Sequence, residues 1–154
     1  MVAVVWPHSV EVVCQARAVP SELNAGGDGS IAVDTELGAT AAGRVVDLAS
    51  LREMFLPDAR ITRVAAGQRD SWSVAEFIDP RAVMLTDGSL VDFHEWEVEG
   101  VTTILGNIAE HRSHYRKSGR LRGGAPYVGE GRKFILLCRS EGRWRIVSVL
   151  WEDV

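Results

Sequence analysis

Hydrophobic positions along this chain follow two different periods. Between residues 45 and 56, Val45, Leu48, Leu51, Met54 and Phe55 recur at helical spacing and form one apolar stripe. Asp47 or Ser50 can cap the start of this predicted helix. Pro57 ends it, because Leu56, preceding a proline, is pushed out of the helical region. "ARITRV" (59–64) then alternates as a strand. "SVAEFIDP" (73–80) predicts a short second helix, with Ser73 as N-cap, Glu76 completing a capping box and Pro80 closing it. The remaining pattern is that of strands. "AVMLTDGSLVDFHEWEVEG" (82–100) breaks at Asp87-Gly88, a hairpin signal. "ILGNIAEHRSHYR" (104–116) follows, and then a glycine-rich loop, "KSGRLRGGAPYVGEG" (117–131). "RKFILLCRS" and "RWRIVSVLWED" are joined by a tight turn at Glu141-Gly142. Helices followed by a run of antiparallel strands predict an α+β domain with helices on one face of a sheet.

Alternation also assigns faces. On 107–115, Asn107, Ala109, His111, Ser113 and Tyr115 share one side. This set is small and semi-polar and suits a concave lining. Ile108, Glu110, Arg112, His114 and Arg116 share the other side and read as the outer face. His111 and His114 are therefore split across the sheet, and no convergent ligand set for a metal is expected. In "FHEWEVE" (93–99) the faces are Phe93, Glu95, Glu97 and Glu99 against His94, Trp96 and Val98. The expectation is that Trp96 and His94 face inward. The glutamates would pair outside with Arg112, Arg116 or Arg132; a one-residue slip would invert this choice and leave two or three carboxylates lining the cavity as acid–base groups. Trp144, Ile146 and Ser148 are expected to face the core on the last strand.

The segment 1–43 carries no sustained period and is rich in glycine. It is expected to be a weakly patterned lead-in, a weak helix or lid, before a domain over 44–154. The segment holds five acids against Arg17, whereas residues 111–145 hold ten Arg or Lys against Glu130 and Glu141. Without a recognised nucleic-acid motif or interleaved stacking aromatics, this basic stretch reads as solubilised strand exteriors, and nucleic acid is not the expected partner. The net charge of −4 and 25% charged residues are those of an ordinary globular protein. No run approaches the ~20 apolar residues a membrane span needs. "MVAVVWPHSVEVV" lacks a basic start, so the expected compartment is the cytoplasm. Cys14 and Cys138 have no metal or disulfide spacing. Both read as small hydrophobes, and no cofactor is implied. "GEGR" (129–132) lacks the following G-K-[ST] of a phosphate loop.

The order helix, Pro-Asp-Ala, strand, short helix and long meander resembles the nuclear transport factor 2-like superfamily, which includes polyketide-cyclase-like proteins and ketosteroid isomerase. The residues that carry the resemblance are "LREMFLPDARIT" (51–62), "SVAEFI" (73–78), "GNIAEHRSHY" (106–115) and "GRWRIVSVLWED" (142–153). The resemblance implies a cone in which a curved antiparallel sheet wraps around two or three helices, with an internal apolar pocket. It departs from the pattern at residues 1–43, which supply no good opening helix.

Two functions follow as expectations. One is a polyketide-cyclase-like protein that binds, or acts on as isomerase, cyclase or hydrolase, a small hydrophobic molecule. His111 would be the acid–base group and Tyr115 its hydroxyl assistant, with Phe55, Trp96, Asn107, Ser113, Leu136 and Ser148 contacting the ligand. The other is a non-catalytic module that pairs with itself as a homodimer through the outer sheet face.

Overall fold

The computed structural model describes residues 48–154, so expectations for the earlier segment lie outside the described residues. The order is α1 (Leu48–Glu53), β1 (Phe55–Ala65), β2 (Gln68–Ser73), α2 (Val74–Thr86), β3 (Leu90–Leu105), β4 (Ile108–Leu121), β5 (Pro126–Ser140) and β6 (Arg143–Asp153). The strands form one sheet in the order β2-β1-β6-β5-β4-β3. Every neighbouring pair is antiparallel except β1 with β6. The predicted α+β class is the observed one: a six-stranded curved sheet carries two described helices, and the sheet does not close on itself.

The elements depart from the sequence pattern in four places, each for a tertiary reason. The first helix stops at Glu53, and Phe55 already pairs with Ile146 in parallel register. Ile146 N–H donates to the Met54 carbonyl at 2.7 Å, so β6 captures the chain before Pro57 can end the helix. Pro57 falls where the β1–β6 register shifts, the kind of irregularity that tolerates a missing N–H.

Second, β2 has no apolar alternation. It exists because Ala66 and Gly67, with φ of 48° and 75°, fold the chain back on β1.

Third, the capping box at Ser73 and Glu76 forms as predicted, yet α2 continues through Pro80 to Thr86. An interior proline costs about 3 kcal/mol. Burial of Phe77 and Ile78, with packing of Met84 and Leu85 against the core, offsets it. Arg81 Nη1 also donates to the Phe77 carbonyl at 2.9 Å. Asp87 is thus a helix C-cap, followed by Gly88 at φ 77°, and not a hairpin tip. Fourth, the expected loop shrinks to 122–125, because "KSGRL" ends β4 and "PYVGEG" opens β5.

Phe77 reaches from α2 onto the sheet, edge-on to Trp151 with ring centroids 5.4 Å apart. Trp72 stacks on Trp151 at 5.8 Å. Arg81 lies over the Phe77 ring at 3.5 Å. This cluster fastens α2 to the concave side of β1, β2 and β6. Beyond it, Phe55, Ile61, Ala109, Ile135, Leu137, Ile146 and Val149 complete an apolar core.

Candidate functional site

The inner face of the sheet is graded along the strands. Two cross-strand rows are apolar but for Thr102 and His111: Ile104, Ala109, Leu137, Ile146 in one, and Thr102, His111, Ile135, Val149, Ile61 in the next. Three further rows are polar: Gly100, Ser113, Lys133, Trp151, Arg63; then Glu97, Tyr115, Gly131, Asp153; then Glu95, Lys117, Gly129. Glu95, His111, Ser113, Tyr115, Lys117 and Lys133 are all buried. A charged cluster therefore sits where a small domain would ordinarily place its core.

Ion pairs and hydrogen bonds hold this cluster. Lys133 Nζ bonds Glu95 Oε1 and lies 4.0 Å from the centroid of the Tyr115 ring. Asp153 Oδ1 accepts from Lys117 Nζ at 2.7 Å and from the Tyr115 hydroxyl at 2.9 Å, and Arg63 lies 3.8 Å from its other oxygen. His111 Nε2 lies 2.7 Å from Glu97 Oε2, and its Nδ1 lies 2.8 Å from Thr102 Oγ1. A carboxylate only accepts, so Nε2 carries the hydrogen there. Burial pushes the Glu95 carboxyl above its usual range, and Lys133 pulls it back in part.

Glycines make room for the long polar side chains. A Cβ on Gly129 would lie 2.8 Å from Lys117 Cε, and one on Gly131 would lie 2.5 Å from the Tyr115 hydroxyl oxygen. A Cβ on Gly100 would overlap the Glu97 carboxylate. Two of these glycines stand directly across from the side chain they admit, Gly129 from Lys117 and Gly131 from Tyr115. Buried polar atoms with no hydrogen-bond partner within the protein include Glu95 Oε2, Ser113 Oγ, Trp151 Nε1 and, in the same row as the last two, Arg63 Nε; Trp144 Nε1 is another.

Placement of the sequence-predicted residues is mixed. His111, Ser113 and Tyr115 lie on the inner face, and His114 on the outer face, as the alternation indicates. Both nitrogens of His111 are engaged within the protein, however, and Glu97 is its more exposed partner, with 15% side-chain exposure against 4%. Phe55 is inward but belongs to β1, not to the helix.

Four assignments are corrected. Trp96 lies on the outer face, opposite Arg116 and stacked on His94 at 5.1 Å, because Glu95 and Glu97 take the inner positions. Their partners are Lys133 and His111, not outer arginines. Leu136 is exposed, since Lys133, Ile135 and Leu137 are the inward residues of β5. Ser148 stands opposite Leu136, because an irregularity at Val147 advances the alternation of β6 by one residue. Asn107 is an exposed residue of the β3–β4 turn.

Sequence reasoning missed Lys133, Lys117 and Asp153, and it weighed Glu95 and Glu97 as an inward face but set them outside. The one local signal was Phe93, which shares its face with Glu95. Among the described residues no three His, Cys, Asp or Glu converge as a metal site. No helix among them is long and apolar enough to cross a membrane.

No family model matches the chain, and no curated protein matches it. Solved structures do match in fold. A nuclear transport factor 2-like superfamily protein from Salmonella enterica superposes with a TM-score of 0.55 at 14% identity, over 68% of this chain and 75% of that one. A candidate aromatic ring hydroxylase from Novosphingobium aromaticivorans gives 0.60 at 17% identity, over 71% and 76%. The association domain of calcium/calmodulin-dependent protein kinase II from C. elegans gives 0.52 at 16% identity, over 68% and 79%.

Proposed function

With the nuclear transport factor 2-like fold as premise, we propose that the protein binds a small, largely apolar molecule bearing a carbonyl or carboxyl group against the concave face. One observation carries this reading. Ser113 Oγ, Trp151 Nε1 and Glu95 Oε2 are buried without partners on one face, around the Lys133 position. Buried hydrogen-bonding groups are paired in the great majority of cases, and leaving one unmade costs roughly 1–3 kcal/mol. Two donors and a carboxyl oxygen match an oxygen-bearing head group, with the apolar rows beneath its body.

Glu97 is the proton-transferring group of this reading. His111 fixes its carboxylate and Thr102 in turn fixes the imidazole, so His111 acts through Glu97 as a positioning residue. The compartment assumed is the cytoplasm, where Cys138 stays a free thiol. The test is native mass spectrometry of freshly purified protein against its denatured mass. Retained mass in the native spectrum that is lost in Ser113→Ala/Trp151→Phe is the expected result. A bare subunit that also fails to take up carbonyl compounds sinks the reading.

A second reading, self-association, has its own observation. Phe134, Leu136 and Leu150 are 47%, 46% and 44% exposed on the convex face. Phe134 stands opposite Leu150 on one side and Arg112 on the other. Such an apolar patch rimmed by cations suits a sheet-to-sheet homodimer, and an association domain is among the structures of like fold. Sedimentation analysis should show a dimer that Phe134→Glu converts to monomer. A wild-type monomer at all concentrations rules it out.

A further inference from the structure

The chain has fifteen arginines and only two lysines, Lys117 and Lys133. Both lysines are buried on the concave face, at 6% and 2% exposure, while every described arginine keeps some contact with solvent. This inverts the usual habit of lysine, which is almost never fully buried. Arginine stays charged under all ordinary conditions, whereas lysine can surrender its proton and become a nucleophile. The molecule thus uses arginine for its outer charge and keeps its side-chain amines inside.

Lys133 also has the right neighbours for carbonyl chemistry. It stands directly across from Ser113 on β4 and Trp151 on β6, each with an unpartnered buried donor. Its Nζ bonds Glu95, a carboxyl that burial drives toward its protonated form. Lys117 Nζ lies 5.8 Å from the same Tyr115 ring centroid that Lys133 approaches to 4.0 Å. A desolvated lysine near a second cation is a recurring arrangement in activated amines.

We propose that Lys133 captures a carbonyl ligand covalently, as an imine. The proposal rests on the reading that the concave face receives a carbonyl compound. Glu95 takes the ammonium proton, and the freed Nζ lone pair attacks the carbonyl carbon to form a C–N bond. The carbonyl oxygen, held by Ser113 O–H and Trp151 N–H, takes a second proton from the attacking nitrogen and becomes the hydroxyl of a carbinolamine. Glu95 returns a proton to that hydroxyl, the C–O bond breaks and water leaves. The C=N bond forms as water departs, and the nitrogen gives its remaining proton back to the Glu95 carboxylate. One carbonyl and one amine give one imine and one water, with no change of oxidation state. The ligand class is an aldehyde or unhindered ketone on an apolar skeleton.

Reductive trapping tests this on the full chain, with benzaldehyde as the probe and sodium cyanoborohydride as the reductant. With only two lysines and the α-amino group as competing amines, peptide mapping assigns the product without ambiguity. The expected result is one benzyl group per chain on Lys133, formed about tenfold faster than at Lys117 or the α-amino group. Lys133→Arg should abolish that adduct, Lys117→Arg should retain it, and Glu95→Gln should slow it. The wild-type map alone decides the case if a variant fails to fold. Equal labelling of all amines, or labelling that misses Lys133, overturns the imine. An unlabelled protein whose Trp151 indole signal still shifts with benzaldehyde overturns the imine and leaves carbonyl binding standing. An unlabelled protein with no shift overturns both.

Discussion

Over part of the sheet the two faces carry the opposite of the usual chemistries. On β4, the inward residues His111, Ser113, Tyr115 and Lys117 are polar and buried, while the outward set includes Ile108 at 60% exposure. On β5, Lys133 points in and Phe134 points out. A face kept only for stability would bury Phe134 and expose Lys133, since desolvating an ion pair gains little over packing hydrocarbon. Burying Lys133 and Glu95 is costly for stability, and exposing Phe134 is costly for solubility.

The sharpest way to break this comparison is to remove half of the inner ion pair. Glu95→Ala leaves the Lys133 charge buried and should destabilise the fold by about 3–5 kcal/mol in urea denaturation. Glu95→Leu with Lys133→Met should instead be neutral, or more stable by up to ~4 kcal/mol. If the single and double variants lose equally, the pair is the scaffold and the functional reading of this face weakens.

The pH dependence has a definite sign. The folded-state pKa of Glu95 is raised, so its contribution to stability is fully present below the unfolded value and is lost as pH rises through the folded one. Glu95→Gln should flatten stability across that window. Glu76 runs the other way: the Ser73 backbone N–H, and then its hydroxyl, hold the Glu76 carboxyl below its usual range. Its contribution is present above the unfolded value and is lost as pH falls through the folded one.

Smaller effects probe the supports. Gly131→Ala presses a methyl against the Tyr115 hydroxyl and the Glu152 carbonyl, and should cost about 1–3 kcal/mol by thermal denaturation. Ser73→Ala removes the hydroxyl that caps α2, for roughly 0.5–2 kcal/mol. Phe134→Glu should change the stability of the isolated chain by less than about 0.5 kcal/mol, because its side chain already meets water. Its effect belongs to sedimentation alone.

What the sequence determined by itself was whatever nearest neighbours decide. The capping box at Ser73 and Glu76, the turn at Glu141-Gly142 and the alternation that sends His111, Ser113 and Tyr115 one way and His114 the other are all local in origin. They required only backbone geometry and periods of two or 3.6. The α+β order and the resemblance carried by 51–62 and 142–153 followed from the succession of such signals.

Tertiary structure decided which face of β3 is the inside. Glu95 lies inward because Lys133, on a strand two places away in the sheet, meets it there. No window of β3 contains that partner. It decided Ser148 through a single extra residue in β6, which inverts every later side chain. It also carried α2 past Pro80 by giving Met84 and Leu85 a core to pack against. In each case the local preference was weaker than a contact with a remote part of the chain, because burial and ion pairing act between residues brought together only once the sheet has curved.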